Sequence, residues 1–297
     1  GVTSGLVDLD RMTGGLQGGE LVLLGGRPSM GKTAVAMSMV LDAARSGKGV
    51  VISSLEMTPD SLALRAITNE AANHGKQVAY TDAKKGTMSE DGARHFFEAS
   101  KGASELPIQI LPSNMRDMGA IYAGVKKAQR ILAGKGTPLK LIVIDYLQLI
   151  GGMSSNRFEK IAEISIALKG LAMKTNLPVL ALSQLSRALE SRDLNNRRPM
   201  LSDLRESGQL EQDADMVLFC YRHEYYLERD RPEDDDIEAL QAHQEALARH
   251  RDCLEIIVAK QRMGEIGTVH VGFNPATNYL WDKDIYGQST GNFEGAA

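Results

Sequence analysis

The chain has 297 residues, of which 43% are hydrophobic and 24% are charged. These proportions are those of an ordinary globular protein, and they exclude a chain that is disordered throughout, a collagen-like repeat and a coiled coil. The formal net charge of -4 excludes a uniformly basic surface for nucleic acid, although it is compatible with a local basic groove.

Short runs of β-branched residues and leucine alternate with longer helical patterns along the chain. This alternation predicts an α/β fold, a mostly parallel sheet covered by helices. A final pair of strands flanks an Asn274-Pro275 turn and predicts an antiparallel hairpin. In chain order the predicted elements are a strand at 20–24, a helix at 32–46, a strand at 50–53, a helix at 59–73, a strand at 107–111, a helix at 118–132, a strand at 139–144, a helix at 157–175, strands at 178–182, 216–221 and 254–259, and the hairpin at 267–273 and 279–281.

One segment differs from the rest in charge. Residues 222–252 contain five basic and ten acidic side chains, so this insert carries the acidity of the whole chain. Its run of Asp234, Asp235 and Asp236 is typical of a solvated, mobile loop rather than of a metal site. We expect one domain over residues 1–284, containing this insert, and a disordered tail over 285–297.

Neither a membrane segment nor a signal peptide is predicted. The most apolar run, at 139–150, contains Lys140 and Asp145 and is shorter than the roughly 20 residues that a membrane helix needs. Two cysteines are too few for a disulfide framework, so we expect a reduced, cytoplasmic setting. Because the first residue is Gly1 rather than Met, the chain is expected to be part of a longer protein.

A phosphate-binding motif lies between the first predicted strand and the first predicted helix. Backbone N–H groups of such a loop surround the β-phosphate, and the start of the helix adds its positive dipole end. Lys32 is then expected to bind the β- and γ-phosphates of ATP or GTP, and the Thr33 hydroxyl to bind Mg²⁺. The motif consists of Gly26, Arg27, Pro28, Ser29, Met30, Gly31, Lys32 and Thr33.

Three polar residues follow other predicted strands, and parallel strands bring their carboxyl ends to one crevice. Asp145 ends a buried strand and is the expected second Mg²⁺ ligand. Glu56 is the candidate that activates water, because Tyr146 stands beside Asp145 where many ATPases carry glutamate. Gln184 is placed to contact the γ-phosphate or the attacking water. A surface carboxylate for Glu56 and a polar strand end for Gln184 are the alternative interpretations.

Several spaced motifs together resemble the RecA-like motor domain of bacterial replicative helicases of the DnaB family. The resemblance runs from Gly5 to about Trp281, and the 203–215 stretch is its most specific part. The matching stretches are GRPSMGKT at 26–33, SLEM at 54–57, IDYLQ at 144–148, LSQLSR at 182–187, DLRESG at 203–208, QDAD at 212–215 and KQR at 260–262.

The resemblance implies a RecA-like P-loop fold and a hexameric ring that hydrolyses ATP, with Mg²⁺, between subunits. In that ring Glu56 is the catalytic carboxylate, and Lys260 and Arg262 reach into the neighbouring subunit's site. Single-stranded DNA, traversed 5′ to 3′, would lie in the central channel. Primase and a helicase loader are the further partners that the resemblance implies, with primase contact depending on an amino-terminal domain outside this chain. The implied DNA contacts are Arg205, Glu206 and Gly208, with Arg197 and Arg198 adding positive charge nearby.

Three other functions stay open from the sequence. A RecA-like recombinase would form a filament on DNA rather than a closed ring. A nucleotide-dependent switch would need no DNA, and a small-molecule kinase would use the same phosphate loop. The basic pair at 197–198 has the alternative interpretation of a solvated loop.

Overall fold

The computed structural model describes residues 1–145, 147–152, 154, 156–193, 196–232 and 236–283, with the side chains of 157 and 205–207 outside that description. Within these residues the strands form one nine-stranded sheet in the order β3-β2-β4-β5-β1-β6-β7-β8-β9. The first six in this order are parallel, and β7, β8 and β9 are antiparallel to their neighbours. The strands are β1 (Leu21–Gly26), β2 (Gly49–Ser54), β3 (Ile108–Leu111), β4 (Leu139–Asp145), β5 (Val179–Gln184), β6 (Met216–Tyr221), β7 (Cys253–Gln261), β8 (Gly267–Asn274) and β9 (Tyr279–Asp282).

Helices cover both faces of this sheet. Two 3₁₀ helices, Arg187–Ser191 and Leu201–Ser207, lie between β5 and β6. The α-helices are α1 (Val7–Thr13), α2 (Lys32–Arg45), α3 (Pro59–Asn73), α4 (Tyr80–Lys85), α5 (Glu90–Glu105), α6 (Met118–Gly134), α7 (Arg157–Thr175), α8 (Gly208–Asp213), α9 (His223–Leu227) and α10 (Ile237–His250).

Alternate residues of each central strand face opposite sides, and this divides the interior into two large apolar clusters. Val22 and Leu24 of β1 pack in the cluster that contains α2, whereas Leu21 and Leu23 pack in the one that contains α6 and α7. All six residues of β1 are buried, as expected for a central strand of a parallel sheet with both faces covered. The phosphate-binding motif therefore follows a completely enclosed strand of the sheet.

The predicted α/β architecture and its carboxy-terminal hairpin are confirmed. Helices α3 and α7 begin and end where the sequence predicts, and β6 has its predicted bounds. Six of the described α-helices were not predicted: α1, α4, α5, α8, α9 and α10. The acidic insert is more ordered than a loop: it contains α9 and α10, and the side chain of Asp236 caps α10 by accepting from the N–H of Ala239 at 2.9 Å.

Some predictions fall on residues that the structure does not describe. Asp234 and Asp235 of the insert lie outside the described residues, as do Tyr146 and the 285–297 tail. The domain boundary at 284 stays a prediction. Among the helices that are described, none is long and apolar enough to cross a membrane.

Candidate nucleotide site at the carboxyl edge of the sheet

The phosphate-binding motif forms the turn from β1 into α2. Ser29 and Gly31 both have positive φ, 66° and 86°, so the backbone turns tightly ahead of the helix that begins at Lys32. A Cβ on Gly31 would lie 2.4 Å from the Cδ1 atom of Leu254. Glycine is therefore needed here both for its backbone angle and for its close contact with β7.

A cavity of about 640 Å³ opens above this turn. It lies at the carboxyl ends of the parallel strands, where ligands of open α/β sheets bind. Glu56, after β2, and Gln184, at the end of β5, line it as predicted, and both side chains are exposed. The cavity is lined on the motif side by Arg27, Pro28, Ser29, Gly31, Lys32, Thr33 and Ala34, and elsewhere by Arg65, Arg222, Tyr225, Glu228, Arg229, Phe273, Pro275 and Asn278.

Asp145 ends β4 beneath this cavity, with only 3% of its surface exposed. Neither of its carboxylate oxygens has a hydrogen-bond partner among the described residues. Burial raises the pKa of Asp145 to about 6, a shift that the charge of Lys32 partly opposes. Burial likewise lowers the pKa of Lys32, against the attraction of Asp145 and Glu56. Mg²⁺ binds hard oxygen ligands, and Asp145 offers two buried carboxylate oxygens without a partner among the described residues. Asp145 therefore fits the predicted metal site, in which the Thr33 hydroxyl is the other expected ligand.

Gln148, which follows β4, forms hydrogen bonds to the end of β5. The sequence interpretation did not predict these contacts. The Gln148 side-chain amide donates to Ser183 Oγ at 2.9 Å and to the Gln184 carbonyl at 3.1 Å, and its Oε1 accepts from the Gln184 N–H at 3.3 Å. The backbone of Gln184 is thus fixed to the segment that follows Asp145. Its side chain keeps its freedom to contact a ligand in the cavity.

The side chain of Arg27 forms contacts outside the phosphate-binding motif. This side chain is 7% exposed and donates to Glu190 at 2.8 and 3.0 Å and to the Leu185 carbonyl at 2.8 Å. The predicted contact of Arg27 with nucleotide stays a prediction, for which its backbone is available. Its side chain contacts the 3₁₀ helix Arg187–Ser191 instead.

Three arginines of the cavity, Arg65, Arg222 and Arg229, were missed from the sequence. Arg222 follows β6, donates to the Ser29 carbonyl at 3.3 Å and lies 5.2 Å from the ring centre of Phe273. Arg65 of α3 donates to the side chain of Asn278 and lies over the ring of Tyr80. The rule that identified Asp145, the end of a parallel strand, applies equally to Arg222 and would have found it.

Lys260 and Arg262 lie at the opposite edge of the sheet. β7 runs antiparallel to β6, with Lys260 opposite Val217, so its last residues lie where the parallel strands begin. The Nζ atom of Lys260 donates to the carbonyls of Glu211 and Ala214. Arg262 donates to the Gln212 carbonyl at 3.0 Å and pairs with Asp215 at 3.3 Å. The structure therefore does not bring these two residues to the nucleotide cavity of their own chain.

The basic pair predicted to contact DNA is engaged within the chain. Arg198 makes a two-point pair with Glu255, at 2.8 Å in each bond, and Glu255 is buried in β7. Arg197 pairs with Asp230 at 2.7 Å and lies over the ring of Tyr226. These contacts give both arginines partners within the chain, and their predicted contact with DNA stays a prediction.

The predicted DNA segment itself is only partly described, because the side chains of Arg205 and Glu206 lie outside the described residues. Gly208 directly follows the 3₁₀ helix Leu201–Ser207 and is the first residue of α8, in the ordinary helical conformation with φ −52°. A Cβ at Gly208 would meet nothing within 4 Å. No contact within the described chain therefore explains a glycine at this position.

Comparisons with known proteins agree with this geometry. A family model described as the DnaB-like helicase C terminal domain matches residues 1–281. The chain is 36% identical over 290 residues to a protein of Rickettsia bellii named Replicative DNA helicase DnaB, and 38% identical over 300 residues to one of that name from Helicobacter pylori. These alignments cover 92% and 94% of this chain, but only 56% and 59% of the two relatives.

Solved structures show the same likeness. A separately solved ATPase domain matches with a TM-score of 0.79 and 33% identity, over 95% of this chain and 91% of that one. A DnaB-like replicative helicase, solved in a study of its interactions with primase, matches equally well over 95% of this chain and 63% of its own. The RadB recombinase matches with a TM-score of 0.54 and 15% identity over 96% of this chain and 100% of its own, which shows a shared fold alone.

Proposed function

The chain belongs to the family of DnaB-like helicase C-terminal domains, and on this premise we propose that it is the ATP-driven motor of a hexameric replicative DNA helicase. In this proposal the motor moves along single-stranded DNA in the cytoplasm and unwinds duplex at the replication fork. Primase and a helicase loader are proposed as its further partners.

The observation that carries the proposal is the separation of the catalytic groups between two edges of one sheet. Lys32 and Glu56 line the cavity at the carboxyl edge, and Asp145 ends β4 at the same edge. Lys260 and Arg262 lie at the amino edge. In this proposal a complete site combines both groups, because the positive charge of Lys260 and Arg262 would meet the charge that develops on the transferred phosphoryl group. Two chains packed edge to edge would supply both, and a cyclic arrangement would repeat that contact without leaving an end.

The residues of one chain divide the chemistry as follows. The backbone of the motif and Lys32 bind the β- and γ-phosphates in the ground state. Asp145 and Thr33 would hold Mg²⁺, which when bound neutralises charge on the phosphate oxygens. Glu56 orients the attacking water and receives its proton, while Gln184 contacts the γ-phosphate. Lys260 and Arg262 of the neighbouring chain would stabilise the developing charge.

Gly208 supports the proposed DNA contact. Its open surroundings allow a phosphate backbone to approach the first N–H groups of α8 closely. Arg205, three residues earlier, adds a charge that binds phosphate without reading base identity. Binding to the phosphate backbone without regard to base sequence suits a motor that must move along any DNA template.

The test is an ATPase and DNA-binding assay on the whole chain. We expect single-stranded DNA to stimulate ATP hydrolysis, and negative-stain imaging with an ATP analogue to show closed rings. Arg205→Ala should weaken binding by a similar factor on dT and dC oligonucleotides and reduce the slope of log affinity against log salt by about 0.7. Filaments on DNA would favour a recombinase, and hydrolysis indifferent to DNA would favour a nucleotide switch or a kinase.

A further inference from the structure

An ion pair with the buried side chain of Arg27 connects the 3₁₀ helix Arg187–Ser191 to the nucleotide-binding motif. The guanidinium of Arg27 donates through both Nε and Nη2 to one carboxylate oxygen of Glu190, at 3.0 and 2.8 Å. Its third bond goes to the Leu185 carbonyl, just beyond the Gln184 strand end. The Arg27 side chain is 7% exposed and that of Glu190 is 48% exposed. A charge-assisted pair with one buried member fixes the separation of the two segments that carry it.

The same short helix is tied on its other side to the proposed DNA-binding segment. Arg192, its C-cap residue, makes a two-point ion pair with Asp203. Asp203 is 5% exposed, and it also accepts from the N–H of Met200 at 2.9 Å at the start of the 3₁₀ helix Leu201–Ser207. That second helix leads directly into Gly208. Two ion pairs and the short helices that carry them therefore connect the nucleotide motif to the proposed DNA contact.

Apolar packing makes this connection stiff. Leu189, Leu204 and Leu210 come from the first 3₁₀ helix, the second and α8, and all three are buried in the same apolar cluster. Close-packed interiors transmit displacements rather than absorb them. A shift of Glu190 is then passed to the segment around Gly208, instead of being lost in a flexible loop.

We propose that Glu190 is a positioning residue that couples the nucleotide site to the DNA-binding segment through Arg27. This inference rests on the proposed function, since it requires that the chain bind both ATP and DNA. When the motif closes on a triphosphate, Arg27 moves with the backbone and carries Glu190 and the following helices with it. Coupling between two binding sites is reciprocal, so DNA must affect nucleotide binding to the same extent as nucleotide affects DNA binding.

The experiment compares Glu190→Ala and Glu190→Gln with wild type and with Glu98→Ala, which removes an exposed glutamate of α5 as a matched control. Basal ATPase, ATPase saturated with oligo-dT, and the affinity for labelled oligo-dT with and without an ATP analogue are measured for each. Glu190→Ala is expected to keep the basal rate and the KM for ATP, while DNA stimulation falls by about fivefold or more. The tightening of DNA binding by the ATP analogue should fall as well, by a factor that is measured separately because reciprocity applies to binding and not to rates. Glu190→Gln keeps a carbonyl acceptor for Arg27 and should retain an intermediate part of both effects.

Each result decides between interpretations. Stimulation in Glu190→Ala equal to that of Glu98→Ala overturns the coupling. A parallel fall of basal and stimulated rates also overturns it, because Glu190 would then merely support the nucleotide motif. If Glu190→Ala does not fold, Glu190→Gln decides alone, since its loss of charge leaves the side-chain shape unchanged. Wild type that binds no single-stranded DNA would refute the proposed function itself, a failure seen before any variant is compared.

Discussion

Replacing Arg262 with alanine tests whether the amino edge of one chain completes the site of another. The backbone N–H of Arg262 donates to the Asp215 carbonyl, next to the start of β1, whereas the nucleotide motif follows the end of β1 at Gly26. The span from Leu21 to Gly26 is about 16 Å at the usual rise of about 3.3 Å per strand residue. A guanidinium must come within about 3 Å of the phosphate oxygens that it stabilises. Arg262 therefore cannot serve the cavity of its own chain.

The expected loss is large for hydrolysis and small for stability. An arginine that meets the transferred phosphoryl group contributes about 10³- to 10⁵-fold in rate, so Arg262→Ala should nearly abolish DNA-stimulated ATPase while ATP still binds. Its guanidinium is half exposed and 3.3 Å from Asp215, a contact worth less than about 1 kcal/mol. The thermal unfolding midpoint should thus stay close to that of wild type.

The assay mixes Arg262→Ala chains with Lys32→Ala chains, which lack the phosphate lysine but keep the arginine. In a ring with head-to-tail contacts, random mixing at equal amounts gives about one interface in four with both groups intact. ATPase should rise from near zero in either pure variant toward about a quarter of the wild-type rate. No recovery at any ratio, with mixed rings demonstrated by differently tagged subunits, would refute the argument from the two edges.

Three further changes follow from contacts within one chain. Glu56→Gln should keep ATP bound and stop turnover, because only activation of the attacking water depends on the charge of Glu56. Fluorescent-nucleotide titration measures binding and phosphate release measures turnover; normal turnover would mean that another residue activates the water. Asp145→Asn should abolish Mg²⁺-dependent hydrolysis yet raise the free energy of unfolding of the nucleotide-free protein by about 1–3 kcal/mol, since it removes a buried charge without a hydrogen-bond partner among the described residues. A chemical-denaturation curve unchanged from wild type would contradict that reasoning. Arg198→Ala should lower the free energy of unfolding by about 1–3 kcal/mol, because it leaves the carboxylate of Glu255 buried and without Arg198. Weaker DNA binding at unchanged stability would instead indicate that Arg198 contacts DNA.

The nucleotide site could be predicted because its signals are local. A glycine-rich turn between a strand and a helix can be recognised from adjacent residues, and a polar residue after an apolar run marks a strand end. Glu56, Asp145 and Gln184 were found in this way without knowledge of the strand order, since all parallel strands end at one edge. No local signal indicates the partner of the Arg27 side chain, because Glu190 lies 163 positions away in sequence.

Other features depend on tertiary partners that no local pattern reveals. Arg198 looks like part of a basic patch until β7 brings Glu255 beside it from 57 positions away. Helices α4 and α5 were missed because little of their surface is buried: of α5 only Ala99 is buried, in a small cluster with Ala71 and Val78. The residues of α5 nevertheless have an amphipathic pattern at helical spacing, and this pattern could have predicted the helix.

The antiparallel end of the sheet accounts for the proposed division of one site between two chains. The loops that follow parallel strands all lie at the carboxyl edge of the sheet, and here they line the cavity. A strand that runs the other way must return the chain to the amino edge, and β7 does so with Lys260 near its end. The separation of the two groups is thus fixed by strand direction and not by flexible segments. In the proposed ring, a closing motion that brings a neighbour's amino edge onto the cavity would therefore change hydrolysis and subunit contact in a single step, as the proposed ATP-driven motor requires.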